Sequence, residues 1–281
     1  MAGFGRAIVA GAGGGMGRMF LDRLAAAGCD AVGVDVRAGD GVTAADVLNF
    51  SEEMRHLLGE VDLALLAVPD AVACRAAAGV ARAMAPEAML VDCTSVKAPY
   101  VEAVGDAGSC GLVSVNPLFG PGLDWTGRSI VVTELRRPRF PERLTGFLEA
   151  AGLRIIRLDA ERHDRLAAEA QAQLHAAILG FAVSASADGA IFDTPPNRVM
   201  RMLAARILSA EPHVYWKIQT SNPFAGEARH RLIAALQSID EICQAGDDEA
   251  FSRLLAEARD HLGGDPAELS DRCARLFGAL D

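Results

Sequence analysis

A glycine-rich loop near the start of the chain restricts its fold more than any other feature. The loop lies between a short apolar run, Ala7 to Ala10, and a helical stretch, Arg18 to Ala27, and a second strand-like run, Ala31 to Val36, follows. A strand, a glycine turn, a helix and a strand in this order make a βαβ unit. In such a unit, glycine lets the backbone approach a pyrophosphate, whose charge is held by N–H groups at the start of the helix. The sequence therefore predicts a dinucleotide site at Gly11, Ala12, Gly13, Gly14, Gly15, Met16 and Gly17.

Two registers of this loop fit the usual glycine spacing about equally well. Gly11, Gly13 and Gly17 give G-x-G-x-x-x-G, whereas a shorter register starts at Ala12 and uses Gly14 and Gly17. The spacing alone leaves both registers open.

Asp35 at the end of the second strand-like run indicates which dinucleotide binds. A carboxylate in this position accepts hydrogen bonds from the adenosine ribose hydroxyls, which favours NAD. Arg37 leaves NADP open, since a guanidinium two residues later could accommodate a 2′-phosphate. Val68 and Pro69, where a later strand-like run ends, are also predicted to contact the cofactor.

Strand-like and helical segments alternate in the first half of the chain and then give way to helices. The later strand-like runs cover 63–68, 89–92, 112–115, 130–132 and 155–158. This alternation predicts an α/β Rossmann fold, a doubly wound and mainly parallel sheet with helices on both faces. Helices are predicted at about 161–190, 197–209, 225–245, 248–261 and 266–279. We therefore predict a dinucleotide-binding domain at 1–159 and an all-α domain for substrate binding and dimerisation at 160–281.

Charge and composition exclude several classes of partner. The net charge of −10 and the pI near 5.1 argue against a surface for nucleic acid or an anionic membrane, which needs an excess of cationic side chains. The six cysteines are far apart and form no C-x-x-C pair, so neither a disulfide framework nor a metal site is expected. The segment from Met1 to Phe20 lacks the features of a signal peptide, and no apolar run reaches membrane-spanning length. We expect a cytoplasmic enzyme that acts on a small molecule.

Four separated stretches resemble prephenate dehydrogenases in their order and spacing. They are Val91-Asp92-Cys93-Thr94-Ser95-Val96-Lys97, then Asn116-Pro117-Leu118-Phe119-Gly120-Pro121, then His163-Asp164-Arg165 with Gln171-Ala172-Gln173-Leu174-His175, and finally the segment from Thr194 through Arg198 and Arg206 to Tyr215. Their order and spacing agree with that family over nearly the whole chain. The chorismate mutase and regulatory domains fused in some relatives are not expected here.

The resemblance implies an oxidative decarboxylation. In that family a hydride leaves ring C4 for the nicotinamide, the ring carboxylate departs as CO2 and the ring becomes aromatic. By resemblance, Ser95 hydrogen-bonds the C4 substituent, His175 and Arg206 bind the carboxylates or carbonyl of the substrate, and Lys97 lies near the nicotinamide. A dianionic substrate in an acidic protein needs such cationic groups close by.

Structural roles compete with some of these assignments. His163 lies beside Asp164 near a helix start, where the pair could bind substrate or simply cap the helix and hydrogen-bond between domains. His175 lies in an apolar stretch, where a histidine is often a core residue, although the resemblance favours substrate binding. Arg198 and Arg206 point about 80° apart on a helix. One is expected to bind substrate and the other to form an ion pair, and Arg206 is the stronger candidate for substrate.

Asn116 departs from the family motif, which begins with histidine at this position. That histidine takes the proton from the C4 hydroxyl as hydride leaves, and an amide cannot act as a base near neutral pH. A neutral C4 amine needs no base, since its lone pair expels hydride to give an iminium. We therefore favour 4-amino-4-deoxyprephenate as the substrate and 4-aminophenylpyruvate as the product. Prephenate, with another group or a water as base, and arogenate remain alternatives.

Two further readings are weaker. A β-hydroxyacid dehydrogenase or imine reductase also joins a Rossmann domain to a helical domain, but Lys217 lies too late for the catalytic lysine of the hydroxyacid enzymes. A non-catalytic NAD-binding or regulatory protein could share the fold. The apolar helix faces after residue 160 exceed what one layer needs and predict a homodimer.

Overall fold

The computed structural model describes residues 3–209 and 212–280, apart from the side chains of residues 213 and 214. Met1 and Ala2, the first residues of the segment judged to lack signal-peptide features, lie outside this part. The chain divides into two compact units, Met1–Leu166 and Ala167–Asp281. Within the described ranges, no helix combines the length and apolar character needed to span a bilayer.

The first unit contains one eight-stranded sheet, as the Rossmann prediction requires. Its strands are β1 Arg6–Ala10, β2 Asp30–Asp35, β3 Val42–Ala44, β4 Leu63–Leu66, β5 Met89–Asp92, β6 Gly111–Pro117, β7 Ser129–Arg136 and β8 Arg154–Arg157. The strand order is β3-β2-β1-β4-β5-β6-β7-β8. Every pairing is parallel except that of β6 with β7. The predicted mainly parallel, doubly wound sheet is confirmed.

Helices cover both faces of this sheet, which explains why β4 and β5 are buried at every residue. They are α1 Gly15–Ala26, α2 Glu52–Glu60, α3 Asp70–Ala83, α4 Ala98–Val104 and α5 Pro141–Ala150. A sixth helix, α6 Ala160–Ala167, follows β8. Alternate residues of β1 enter different cores. Ala7 and Val9 pack in the cluster that contains Phe20, whereas Ile8 packs with Val80 on the other face.

Local details of the sheet depart from the sequence prediction. Strand β3 was not predicted, because three residues carry too little pattern to distinguish a strand from a loop. The antiparallel direction of β7 was not predicted either, because a run of apolar residues does not show in which direction a strand runs. Helix α1 begins at Gly15, three residues before the predicted start at Arg18.

The second unit is helical. A π-helical segment, Ala168–Gln173, leads into α7 Leu174–Ser184, and a 3₁₀ turn, Asp188–Ala190, precedes the remaining helices. These are α8 Pro195–Leu208, α9 Pro212–Thr220, α10 Ala225–Ala245, α11 Asp248–His261 and α12 Pro266–Gly278. The predicted single helix over 161–190 is therefore wrong in its interior and at its end, where Ala185 adopts an extended backbone with ψ of 142°. Helix α9 was not predicted.

Side chains of the second unit stabilise the π-helical segment. Wider π-helical turns shift the usual backbone pairing, and here the carbonyl of Ala172 accepts a hydrogen bond of 2.8 Å from Gln219 Nε2. Arg229 in turn donates to the carbonyl of Gln219 at 2.6 Å. A small apolar core of Ile178, Ala204 and Ile207 lies between α7 and α8.

Candidate active site

The backbone of the glycine loop selects one of the two open registers. Gly11 has φ of +81°, and a Cβ there would lie 2.2 Å from the carbonyl oxygen of Ala67. A Cβ on Gly17 would lie 2.1 Å from the carbonyl oxygen of Gly11. Gly17 is common to both registers, but only the register that starts at Gly11 uses the position where the positive φ and the contact with Ala67 require glycine.

The start of α1 is suited to an anionic ligand. The N-cap residue Gly14 has no side chain to bond the first N–H groups, and the first turn carries no acidic residue. Gly13 places its backbone beside Asp35, where a Cβ would lie 3.1 Å from the carboxylate. Among the other loop residues, Ala12 packs into the core, and a Cβ on Gly15 would touch Pro121. These features fit the pyrophosphate of a dinucleotide.

Asp35 lies in an open cleft of about 510 Å³ beside the loop. Its carboxylate accepts hydrogen bonds from the backbone N–H groups of Gly13 at 3.2 Å and of Arg37 at 3.4 Å. The side chains of Arg37 and Arg18 also line the cleft. The structure thus brings Gly13, Asp35 and Arg37 together, as the sequence predicts for a nucleotide site.

The remaining predicted cofactor residues lie near the loop. Val68 contacts the position of Gly11, where its Cγ1 would be 3.1 Å from an added Cβ. Pro69 is the N-cap of α3 and is exposed. Met16 lies in the first turn of α1 and packs partly against the core.

A second group of residues forms a buried polar chain at the start of α4. Asp164 is completely buried, and its carboxylate accepts hydrogen bonds of 2.8 Å from the backbone N–H groups of Lys97 and Ala98. The same carboxylate lies 2.8 Å from His163 Nδ1. His163 Nε2 lies 3.0 Å from Asn116 Nδ2. The chain Asp164–His163–Asn116 therefore links α6, the start of α4 and the end of β6.

Lys97 is part of a neighbouring buried cluster and has no exposed surface. Its Nζ donates to the carbonyls of Thr94 at 2.7 Å and Val115 at 2.9 Å. Burial lowers the pKa of Lys97, although the nearby Asp92 opposes this effect. These contacts favour a structural role, and substrate binding by Lys97 stays a prediction.

Asp92 is the acidic member of this cluster. Its Oδ1 accepts hydrogen bonds from Thr94 N, Thr94 Oγ1 and Ser114 Oγ, while Oδ2 is buried and has no partner among the described residues. Burial raises the pKa of Asp92, and Lys97 counteracts part of that rise. Ser95, by contrast, is exposed, and its backbone N–H donates to Asp70 at 3.2 Å. The hydroxyl of Ser95 is therefore not part of the buried cluster.

In the second unit, His175 is half-buried beside an aromatic ring. Its ring centroid lies 5.0 Å from that of Tyr215 in an edge-to-face arrangement. Its Nδ1 is buried and has no hydrogen-bond partner within the described residues. Burial lowers the pKa of His175, so the neutral imidazole is favoured.

The two candidate arginines of α8 differ in their surroundings. Arg198 donates to both carboxylate oxygens of Asp193, at 3.1 and 2.5 Å, and to the carbonyl of Leu280. Arg206 is exposed and makes no side-chain hydrogen bond or ion pair with any residue that the structure describes. The expected division, in which one arginine forms an ion pair and Arg206 is left for a ligand, matches these contacts, although binding itself remains a prediction.

Sequence reasoning missed the polar residues that support the site. Asp164 was treated only as a neighbour of His163, and Asp92 and Ser114 were given no role. Asp92 ends an apolar strand, and a carboxylate at that position signals a buried polar contact. No local pattern connects Asp164 with the N–H group of Lys97, which lies 67 residues earlier in the chain.

Comparison with known proteins identifies the family. The family model for the prephenate dehydrogenase nucleotide-binding domain matches residues 27–131. The 4-amino-4-deoxyprephenate dehydrogenase of Streptomyces pristinaespiralis is 38% identical over 290 aligned positions, which cover 99% of this chain and 98% of that protein.

Solved structures agree on the fold. Prephenate dehydrogenase from Aquifex aeolicus superimposes with a TM-score of 0.71 at 15% identity, covering 91% of this chain and 98% of that one. A second structure of the Aquifex aeolicus enzyme, in complex with hydroxyphenyl propionate and NAD+, gives a TM-score of 0.67 at 16% identity and covers 92% of this chain and 98% of that one. The 38% identity over nearly the full length of the Streptomyces pristinaespiralis enzyme shows that this protein is a dehydrogenase and belongs to the prephenate dehydrogenase family.

Proposed function

We propose that the protein oxidises 4-amino-4-deoxyprephenate to 4-aminophenylpyruvate and CO2, with NAD as the cofactor. The observation that carries this proposal is the amide of Asn116 in the family's base position, hydrogen-bonded to a histidine that is itself engaged. His163 is only 2% exposed, and its Nε2 faces Asn116 Nδ2 at 3.0 Å. Neither side chain is therefore free to take a proton from a C4 hydroxyl.

A neutral amine at C4 suits such a site. Its nitrogen lone pair forms the C4=N bond as the C4–H bond breaks, which leaves a cationic iminium. The ring carboxylate then leaves as CO2, and its electron pair aromatises the ring and neutralises the nitrogen. A hydroxyl substrate without a base would instead give a protonated carbonyl, which is a much less stable cation. NAD, when bound, supplies the acceptor for the hydride.

The residues of the first unit fit NAD. Gly11 and Gly17 leave no room for a Cβ, the first turn of α1 is free of acidic residues, and Asp35 presents a carboxylate in the adjoining cleft. Asp35 would accept hydrogen bonds from the adenosine ribose, and its negative charge disfavours the 2′-phosphate of NADP.

The carboxylate-binding residues remain proposals drawn from the family resemblance. Arg206 offers an unpaired guanidinium and His175 an unpaired ring nitrogen among the described residues. Ser95 offers an exposed hydroxyl for the C4 substituent. Arg198 and His163 are engaged in contacts within the protein, which favours positioning roles for them.

We also propose a homodimer formed through the helical unit. Large apolar side chains on α10, α11 and α12 are exposed by 38% to 57%: Ile233, Leu236, Phe251, Leu255 and Leu276. Such surface on a small helical unit is typical of an interface. Light scattering after size-exclusion chromatography should give twice the mass of the 29.5 kDa chain, and a monomer at micromolar concentration would refute the dimer. The cytoplasmic location stays a prediction.

Steady-state kinetics with both substrates test the proposed reaction. The purified protein should show a kcat/KM for 4-amino-4-deoxyprephenate well above its value for prephenate or arogenate, with NADH and 4-aminophenylpyruvate formed in equal amounts. A clear preference for prephenate or arogenate would refute the proposed substrate. Cofactor binding without turnover of any of the three would contradict the enzymatic reading.

A further inference from the structure

The two ends of the Asn116 amide have different surroundings. Nδ2 lies 3.0 Å from His163 Nε2. Oδ1 accepts no hydrogen bond from the described residues, and it is not one of the buried polar atoms left without a partner. Asn116 keeps 8% of its surface exposed, so the carbonyl end is the end that a ligand can reach.

The orientation of this amide follows from the residues behind it. Asp164 can only accept hydrogen bonds when ionised, and it already accepts from the N–H groups of Lys97 and Ala98. His163 Nδ1, at 2.8 Å, must therefore carry the proton that it shares with Asp164. In the neutral imidazole, Nε2 is then a lone pair that requires a donor. Asn116 supplies that donor with Nδ2 and directs its carbonyl oxygen the other way.

We propose that His163 is a positioning residue that fixes the Asn116 carbonyl as the acceptor for an N–H of the C4 amine. This inference rests on the proposed function for the identity of the substrate. As the lone pair moves into the C4=N bond, the nitrogen becomes positive and its N–H becomes a stronger donor. The hydrogen bond to Asn116 Oδ1 then strengthens on the way to the transition state, which is the condition for accelerating the reaction.

The reversed amide would act in the opposite direction. An NH₂ group facing C4 would donate to the nitrogen lone pair and hold back the electrons that must form the C4=N bond. Without His163, both orientations are open to Asn116. The imidazole therefore determines how well the site stabilises a developing iminium, even though it makes no contact with substrate in this proposal.

A double-mutant cycle distinguishes positioning from simple structural support. His163→Leu removes the acceptor for Nδ2, whereas His163→Gln keeps an amide oxygen within reach of it. With Asn116 present, His163→Leu should lower kcat roughly 10- to 100-fold with little change in the KM for NAD, and His163→Gln should recover most of the loss. In an Asn116→Ala background, the same His163→Leu change should lower kcat less than about 3-fold.

The cycle is measured with whichever substrate the wild-type protein turns over faster, so a failure of the proposed substrate is seen separately in the wild-type kinetics. Equal losses from His163→Leu in both backgrounds would overturn the positioning role. Imidazole ¹⁵N chemical shifts of the wild-type protein give a test that needs no folded variant. The signal of Nδ1 should be that of a protonated ring nitrogen and the signal of Nε2 that of an unprotonated one, and a proton on Nε2 would overturn the proposal.

Discussion

The polar residues of the two units differ in how fully the protein itself satisfies them. In the first unit, Asp164 accepts hydrogen bonds from Lys97 N, Ala98 N and His163 Nδ1, and His163 also bonds Asn116. In the second unit, His175 has a buried ring nitrogen without a partner in the described structure, and Arg206 is exposed without an ion pair there.

This difference separates two ways of preparing a protein for a ligand. A satisfied buried chain holds one side chain, Asn116, in a single orientation and makes the surrounding fold depend on each link. Groups such as Arg206 contribute little to folding and keep their hydrogen-bonding capacity for an anion. We therefore expect substitutions in the Asp164–His163–Asn116 chain to affect stability, and substitution of Arg206 to affect substrate binding.

Asp164→Ala should have the largest effect on stability. The change leaves the N–H groups of Lys97 and Ala98 and the His163 ring without their buried acceptor, and it should lower the free energy of unfolding by about 3–5 kcal/mol. Urea denaturation measures this loss. Asp106→Ala, at an exposed position of the same unit, should change stability by no more than about 0.5 kcal/mol. Equal effects of the two substitutions would show that the buried hydrogen-bonded chain contributes no more to stability than an exposed carboxylate does.

Arg206→Ala should show the opposite pattern. Loss of a charge-assisted hydrogen bond to a substrate carboxylate should raise the substrate KM roughly 10- to 100-fold, with the free energy of unfolding nearly unchanged. Arg259→Ala, which removes an equally charged and exposed residue of α11, should leave KM as it is. An unchanged KM in Arg206→Ala would remove Arg206 from the list of substrate ligands.

His175 should produce the smallest effect, a pH dependence of stability. Burial lowers its pKa below the ordinary value of 6.5, so the unfolded state binds the proton more readily. The free energy of unfolding should therefore fall as the pH drops through 6.5 toward the folded-state pKa. His175→Gln should flatten this slope, whereas His230→Gln, at an exposed position of the same unit, should not. An identical slope in all three proteins would show that His175 does not contribute.

The sequence predicted those parts of the molecule that depend on local pattern. The glycine loop, Asp35 and the alternation of strands and helices in the first half follow from short-range spacing, and the structure has them where they were expected except for the short strand β3. Choosing between the two glycine registers required the structure, because the choice depends on the contact of Gly11 with Ala67.

The supporting residues of the site depend on contacts between distant segments. Asn116 and His163 are 47 residues apart, and Lys97 N and Asp164 are 67 apart. A sequence motif can suggest that each residue is functional, but it does not show that Asp164 sets the tautomer of His163. The sequence did not predict the burial of Lys97 either, because lysine side chains are seldom buried in a core.

The central claim is that the amide of Asn116 makes the site selective for an amine at C4. The most direct measurement is the ratio of kcat/KM for 4-amino-4-deoxyprephenate to that for prephenate, in the wild-type protein and in Asn116→His. An imidazole at this position can donate to His163 Nε2 and use its other nitrogen as a base. Turnover of prephenate should therefore rise by ~10²–10⁴-fold and the ratio should fall accordingly. An unchanged ratio would contradict the account, because it would mean that Asn116 does not face the reacting carbon.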